Sequence, residues 1–286
     1  MAFLGLIFNA LVWGLSWWPF RQFQSAGLHP LWATVCFYIL SWLVILLLRR
    51  EAWRELLATP SLWPIMAAAG VTNTFFNWGV ATGDVVRVVL LFYLMPLWAV
   101  LLARLILGEH LTRLALLRMA LALGGAAAVL APAGGGLPLP SSLSDWLGVL
   151  GGMSFALNNV MLRREAGRSP EARALAMFSG GVGVSALAAT LMATQGLAPW
   201  PALASPLWLL PLAGMALLFF LSNLSLQYGA ARLPANVTAI VMLCEVPFAA
   251  ISSLAWGGGT LGVRTAIGGL CIVGAALLAA LEKRQG

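Results

Sequence analysis

The chain has 286 residues, of which 61% are hydrophobic and only 9% are charged. Because an ordinary soluble domain carries about 25% charged residues, this composition excludes a soluble globular domain, a disordered chain and a disulfide-rich secreted scaffold. Three cysteines, Cys36, Cys244 and Cys271, lie inside apolar stretches without metal-ligand spacing. Neither a disulfide framework nor a zinc site is therefore expected.

Ten stretches are long and apolar enough to cross the hydrocarbon core as helices, which takes about 20 residues each. We predict transmembrane helices near residues 3–20, 30–48, 62–82, 86–106, 113–131, 144–162, 173–194, 206–228, 234–256 and 262–281. The first stretch has no basic segment before it and no cleavage site after it, which favours a retained helix over a removed signal peptide.

Basic residues are distributed unequally between the two sets of loops. Three of the 16, Arg21, Arg87 and Arg264, fall on one side. The other side holds Arg49, Arg50, Arg54, Arg104, Arg113, Arg118, Arg163, Arg164, Arg168, Arg173, Arg232, Lys283 and Arg284. Since the basic side faces the cytoplasm, both termini are predicted to be cytoplasmic, in a bacterial-type inner (plasma) membrane. The net charge of +7 is thus a topology signal, and no nucleic-acid partner is expected.

The two halves of the chain share helix-breaking and polar residues at a constant spacing. Three pairs lie 151 residues apart: Pro96 with Pro247, Gly108 with Gly259, and Arg113 with Arg264. An amide pair, Asn73 and Asn77, matches Asn223 and Gln227 at a spacing of 150. Chance similarity between two glycine-rich apolar sequences is the alternative. The amides weigh against it, because an amide in hydrocarbon is costly unless it is paired or wetted.

Each half holds five helices, so the second half must enter the membrane upside down. We predict an all-α polytopic membrane protein with ten transmembrane helices, arranged as two inverted five-helix repeats (1–134 and 143–286) around a central cavity. Inverted repeats of this kind are typical of secondary transporters, whose substrate site lies near the midplane between the repeats.

The segment from Phe76 through Gly108-Glu109-His110-Leu111-Thr112 to Gly124-Gly125 resembles the EamA-type half of the drug/metabolite transporter superfamily. That pattern has an apolar helix with a central proline, a GE-x-L-T turn and a glycine-bearing helix. The opening Leu11–Ser16 also looks like the first helix of the family, and the tryptophan-rich start is similar to the aromatic amino-acid exporter (YddG-like) branch. In the second half Gly259-Thr260-Leu261 replaces the acidic turn. The resemblance implies ten helices around a central cavity, alternating access, and export of amino acids or related metabolites.

Several helix faces combine amides with aromatic rings and are candidates for substrate binding. In the first helix, Trp13 and Trp17 share a face with Asn9, Ser16 and Phe20, and an interfacial tryptophan belt is the alternative. The other candidates are Asn73, Asn77 and Trp78 in the third helix, Asn158 in the sixth, and Phe219, Asn223 and Gln227 in the eighth. Amides between packed helices, worth roughly 0.6–2 kcal/mol per bond, are the alternative for these.

Glu245 is the acid that lies clearly inside a predicted span, two residues before Pro247. Acids in such positions are functional candidates, and three interpretations stay open: proton coupling, a counter-charge for a substrate ammonium, or a structural acid bonded to a neighbour. Pro96 and Pro247 are candidate hinges for gating. Tyr93 and Trp98, beside Pro96, are candidate substrate contacts, with packing as the alternative.

The chain carries no enzyme signature such as HExxH, GxSxG or a phosphate-binding loop, so neither catalysis nor a cofactor is expected. No Lys or Arg lies deep in a span, which disfavours phosphorylated substrates. We expect a transporter that exports neutral and aromatic amino acids and lies in the bilayer, and a monomer is compatible with the sequence. The alternative is a proton-coupled exporter of lipophilic cations or drugs that uses Glu245.

Overall fold

The computed structural model describes residues 1–108, 112–132, 136–201, 209–230, 232–233 and 235–281. These residues form α-helices and one 3₁₀ turn, Pro60–Leu62, and contain no strand. The helices are α1 (Ala2–Leu15), α2 (Trp17–Ser25), α3 (Pro30–Leu48), α4 (Arg50–Ala58), α5 (Trp63–Thr82), α6 (Val85–Phe92), α7 (Met95–Leu107), α8 (Arg113–Leu130), α9 (Leu143–Arg164), α10 (Pro170–Thr194), α11 (Leu209–Ala230), α12 (Ala235–Met242), α13 (Glu245–Ala255) and α14 (Val263–Leu281). The predicted turn residues Glu109 and His110, and the predicted cytoplasmic residues Lys283 and Arg284, lie outside this described part.

Seven helical segments are long and apolar enough to cross a membrane. They are Ala2–Ser25, Pro30–Leu48, Val85–Leu107, Arg113–Leu130, Pro170–Thr194, Leu209–Leu226 and Val263–Leu281, and a shorter apolar helix spans Ile240–Ala255. Two further helices, α5 and α9, have 20 and 22 residues but carry more polar side chains. The predicted all-α polytopic class is confirmed, while the count of ten spans stays a prediction.

Two of the apolar helices are interrupted at matching places. Between α6 and α7 the break falls at Tyr93 and Leu94, and between α12 and α13 it falls at Leu243 and Cys244. A proline follows each break within the first turn of the next segment, where its missing N–H removes no helical hydrogen bond. The structure therefore has a break where the prolines predicted a bend.

Helices from the two predicted halves pack against each other in matched pairs. Helix α9 packs on α5 and on the broken helix α6–α7, as α1 packs on α11 and on the broken helix α12–α13. Helix α10 contacts α5 as α3 contacts α11, while α3 meets α10 and α8 meets α14. If each helix of one half is replaced by its counterpart in the other half, the same set of helix contacts results. The packing thus supports the division into repeats 1–134 and 143–286, which we retain as a proposal.

Glycines allow the closest crossings between helices. A Cβ at Gly152 in α9 would overlap the Phe92 carbonyl oxygen at the end of α6. On the other side of the bundle, a Cβ at Gly14 in α1 would lie 2.9 Å from the Glu245 carbonyl oxygen at the start of α13. Small residues at such points let backbones approach within membranes, so each helix break is held against a glycine of the opposite half.

The end of the bundle near Arg21, Arg87 and Arg264 is closed by polar bonds. Arg87 donates to both carboxylate oxygens of Asp145, at 2.6 and 3.0 Å, and to the Val129 carbonyl oxygen at 2.7 Å. Arg21 donates to the carbonyl oxygens of Gly83 and Gly258. The Arg87 bonds join α6 to α8 and α9, and the Arg21 bonds join α2 to the turns between α5 and α6 and between α13 and α14.

The opposite end carries the arginine-rich loops. There the Ser169 hydroxyl at the start of α10 donates to Glu55 of the amphipathic helix α4 at 2.5 Å. This hydrogen bond is the largest of the effects that hold the pKa of the Glu55 carboxyl below its ordinary value. Arg49 lies 4.0 Å from Glu171. The structure thus separates the few arginines from the many, as the loop charges predicted; which end faces the cytoplasm stays a prediction.

We expect Gly180→Ala to destabilise the bundle by about 1–3 kcal/mol, the usual cost of overpacking a tight core. A Cβ at Gly180 in α10 would overlap the Met66 carbonyl oxygen of α5, and a backbone atom cannot move aside as a side chain can. The matched control is Gly183→Ala in the same helix, where a Cβ would meet nothing within 4 Å. That change should be neutral or stabilise by up to about 1 kcal/mol. Thermal unfolding of both variants in detergent measures the difference, and equal melting temperatures would contradict the α5–α10 crossing.

Candidate substrate cavity

A cavity of about 690 Å³ lies between the two predicted halves. It extends from the middle of the bundle toward the arginine-rich end. Helix α10, which begins at that end, contributes Ala174, Met177 and Phe178 to the wall, and α14, which ends there, contributes Ala276, Ala279 and Ala280. Beyond the cavity an apolar cluster, which includes Val85, Val86 and residues 88–94 of α6 and the following break, fills the bundle toward the other end. The cavity therefore extends toward one end of the protein.

Aromatic rings form the inner end of this cavity. Phe76 of α5 lies 6.0 Å from Trp13 of α1 and 4.8 Å from Phe92 of α6, measured between ring centroids. Phe92 in turn lies 5.5 Å from Phe155 of α9. Edge-to-face and tilted pairs at these distances are favourable ring contacts. Four helices thus present a continuous aromatic surface to whatever occupies the cavity.

The two matched amides on α5 and α11 line the cavity in the same way. Asn73 Nδ2 donates to the Ala69 carbonyl oxygen, and Asn223 Nδ2 donates to the Phe219 carbonyl oxygen, each at 2.9 Å and one turn back in its own helix. The Tyr38 hydroxyl also donates to Asn73 Oδ1 at 2.6 Å. The equal geometry at a spacing of 150 residues supports the sequence match between the halves.

Further amides come from α1 and α9. Asn9 is fully buried in the wall, where its Nδ2 donates to the Ser222 hydroxyl at 2.7 Å. Asn158 is 2% exposed, and its Oδ1 has no hydrogen-bond partner in the part of the chain that the structure describes. Asn159 lines the cavity with an exposed side chain. Amides donate and accept without carrying charge, so this wall can bind polar groups at modest desolvation cost.

Glu245 is the first residue of α13, directly after the break, and its side chain lines the cavity. The Tyr93 hydroxyl, at the break between α6 and α7, lies 3.1 Å from Glu245 Oε2 and 3.3 Å from the Met242 carbonyl oxygen. A hydroxyl has one proton to donate, so these two oxygens compete for it. The two helix breaks are therefore joined by a hydrogen bond inside the cavity.

Charge in the described cavity wall comes from this carboxyl group. Among the described residues that line the cavity, none is Arg, Lys or His, and none other than Glu245 is acidic. Charge is poorly screened in a low-dielectric interior, so Glu245 would dominate the local field whenever it is ionised. The wall as described favours a positive or neutral guest over an anion.

Seven of the residues predicted from the sequence line the cavity: Trp13, Asn73, Tyr93, Pro96, Asn158, Asn223 and Glu245. Others are packed away from it. Trp17 is 2% exposed and donates to Ser252 Oγ, Asn77 donates to Thr34 Oγ1 of α3, and Trp78 packs its ring against His29. Phe219 packs its ring against that of Trp13, with 5.0 Å between the ring centroids, and is not part of the cavity wall.

Three further residues that the sequence predicted for the site do not line the described cavity wall. Trp98 packs against the apolar cluster around α6, and Pro247 lies in the first turn of α13 outside the cavity wall. The side chain of Gln227 lies outside the described part of the structure.

The cavity also includes residues that the sequence did not single out, chiefly Tyr38, Thr72, Phe76, Phe92 and Phe178. On α5 the sequence did indicate which side faces the cavity, because one helical face carries the lining residues at regular spacing. These residues are Ala69, Thr72, Asn73 and Phe76. Asn77, one turn beyond Asn73, lies at the edge of that face, where it donates to Thr34 of α3. No such pattern marks Tyr38, which enters the wall because α3 packs on α10 beside Phe178.

Comparison with known proteins finds a family model that matches part of the chain and a solved structure of similar fold. Residues 1–131 match the family model described as the EamA-like transporter family. No curated protein matches the chain. A solved crystal structure aligns with 97% of this chain and 96% of its own length, with a TM-score of 0.55 and 19% sequence identity, which shows a shared fold. The N-terminal part of the chain is thus similar to the EamA-like transporters, and with its apolar helices this similarity indicates a multi-pass membrane protein.

Proposed function

We propose that this protein is a secondary transporter of the drug/metabolite superfamily that exports neutral and aromatic amino acids and related metabolites across the inner membrane. The observation that carries the proposal is the cavity, in which aromatic rings and amides surround one carboxyl group. Its volume, about 690 Å³, falls in the range of small-molecule sites. The similarity of residues 1–131 to a transporter family supports transport over catalysis.

Alternating access gives the two ends of the bundle different roles. In this structure the cavity extends toward the arginine-rich end, while the Arg87–Asp145 pair and the bonds of Arg21 close the other end. Export requires a second state in which these bonds separate and the arginine-rich end closes. The broken helices α6–α7 and α12–α13 are the elements suited to this motion, because a helix break takes up backbone rotation with little loss of hydrogen bonding.

A proton-coupled exporter of lipophilic cations is the second candidate, and the position of Glu245 in the cavity wall favours it. The two candidates differ in whether the substrate carries a carboxylate besides its positive charge. Uptake of labelled amino acids into proteoliposomes, with and without a pH gradient, tests the first proposal. A folded sample that moves no amino acid down its gradient would refute it.

The proposed state predicts which positions water reaches. In a variant without native cysteines, Asn159→Cys should react with a membrane-impermeant thiol reagent added to the arginine-rich side, because Asn159 is exposed within the cavity. The control is Ser185→Cys, which is fully buried between α5 and α10 against Thr74. Labelling is measured by gel shift in inside-out vesicles. Equal protection of both positions would contradict a water-filled cavity.

The aromatic surface predicts a specific loss on truncation. Trp13→Ala should lower the initial rate of phenylalanine transport by about two- to twelvefold, since a ring contact contributes roughly 0.5–1.5 kcal/mol. Trp18→Ala is the matched control, because Trp18 follows closely in the same segment but lies 45% exposed against Trp256, away from the cavity. Rates are measured in proteoliposomes at equal protein content. A similar fall in both variants would point to packing instead of substrate contact.

A further inference from the structure

Several side-chain donors of the cavity wall already bond to oxygens of the protein. Thr72 donates its hydroxyl to the Ala68 carbonyl oxygen at 2.8 Å, as Asn9, Tyr38, Asn73, Asn223 and Tyr93 donate to protein oxygens. A substrate carboxylate needs donors, and in a low-dielectric site it also needs a positive charge nearby. The described lining residues supply no such charge.

The amides and hydroxyls of the wall can contribute neutral donors, but neutral donors alone do not balance the charge of a buried carboxylate. The described wall does carry one acidic side chain, Glu245. An ammonium group, which brings donors together with a positive charge, is therefore the better match for this wall.

Glu245 provides the charge that such a group requires. Tyr93 holds one of its carboxylate oxygens, Oε2, at 3.1 Å, which leaves the other oxygen for a ligand. The Met242 carbonyl oxygen is the last of α12 and lies 3.3 Å from the same hydroxyl. Carbonyl groups at a helix C-terminus carry partial negative charge and favour cations. Carboxylate, phenol and carbonyl oxygens thus converge at one point beside the aromatic rings.

We infer that this point is an ammonium subsite, and that the site recognises a protonated primary amine joined to an aromatic or apolar group without requiring a carboxylate. The inference rests on the proposed transport function and narrows its substrate class. Amino acids bind through their ammonium group, and the corresponding amines bind at least as well. An acid with the same ring and no amine binds more weakly, because its carboxylate meets Glu245 and no positive charge in the described wall.

Three probes of equal ring and similar length separate the charges: 2-phenylethylamine, phenylalanine and 3-phenylpropionate. Binding to the purified full-length protein is measured at neutral pH by calorimetry, which avoids passive diffusion of the amine through liposomes. We expect 2-phenylethylamine to bind at least as tightly as phenylalanine, and 3-phenylpropionate to bind at least about tenfold more weakly than either, because like charges in a buried site repel.

The variant test uses Glu245→Gln. We expect it to weaken binding of both amine-bearing probes by at least about tenfold, because the buried counter-charge is lost, and to leave binding of 3-phenylpropionate unchanged or stronger. The control, Glu171→Gln, removes a carboxylate at the arginine-rich end, where Glu171 is paired with Arg49, and should change none of the three affinities. Circular dichroism and size-exclusion profiles establish that each variant is folded; the comparison of probes on the unmodified protein needs no variant.

The outcomes separate this inference from the proposed function. If phenylalanine binds about tenfold more tightly than 2-phenylethylamine, or if 3-phenylpropionate binds as well as the amine, the ammonium subsite is refuted while transport of amino acids stands. If Glu245→Gln is folded and binds the amines as before, the assignment of Glu245 is refuted. If the folded protein neither binds the probes nor moves any amino acid in proteoliposomes, the proposed function itself fails.

Discussion

The hydrogen bond between Tyr93 and Glu245 joins the two places where membrane helices are interrupted, and much of the architecture can be understood from it. An interrupted helix leaves carbonyl groups without partners, which is tolerated in a membrane only where protein or a wet cavity surrounds them. Here both interruptions meet in the centre of the bundle, each held by a close crossing at a glycine, Gly14 or Gly152. The cavity lies where the two breaks converge. The places where helical hydrogen bonding is interrupted are therefore also the place of the candidate binding site.

The pseudo-symmetry of the bundle makes its exceptions informative. Helix contacts, broken helices, prolines and back-bonded amides correspond between the halves, yet the position that matches Glu245 is Leu94, and the position that matches Tyr93 is Cys244. The proposed repeats thus differ at the pair that joins the helix breaks. Glu245 is the acidic residue among the described residues of the cavity wall. Under the proposed function, this carboxyl group would orient a substrate with its positive end at the helix breaks and its apolar part against the aromatic rings.

Polar side chains inside the bundle divide into two groups according to the neighbour each one meets. Asn77, Trp17 and Ser185 are bonded between packed helices, while Asn73, Asn158 and Asn223 reach the cavity. An amide or hydroxyl in a dry apolar interior is costly without a partner. In the first group the partner is another helix, while Asn73 and Asn223 of the second group donate to carbonyl oxygens of their own helices.

Composition and periodicity alone determined that the chain is an all-helical membrane protein, that its basic residues collect at one end, and that breaks fall beside Pro96 and Pro247. These properties depend on the one-dimensional order of apolar, charged and helix-breaking residues, which the bilayer constrains directly. The tertiary structure decided which side of each polar helix faces the cavity. Asn73 and Asn77 are one turn apart and of equal chemistry, and both bond to side chains of α3, but Asn73 lines the cavity while Asn77 is fully buried against α3. That choice depends on how three helices cross, and crossing angles arise from side-chain packing between residues far apart in the chain, which helical periodicity does not encode.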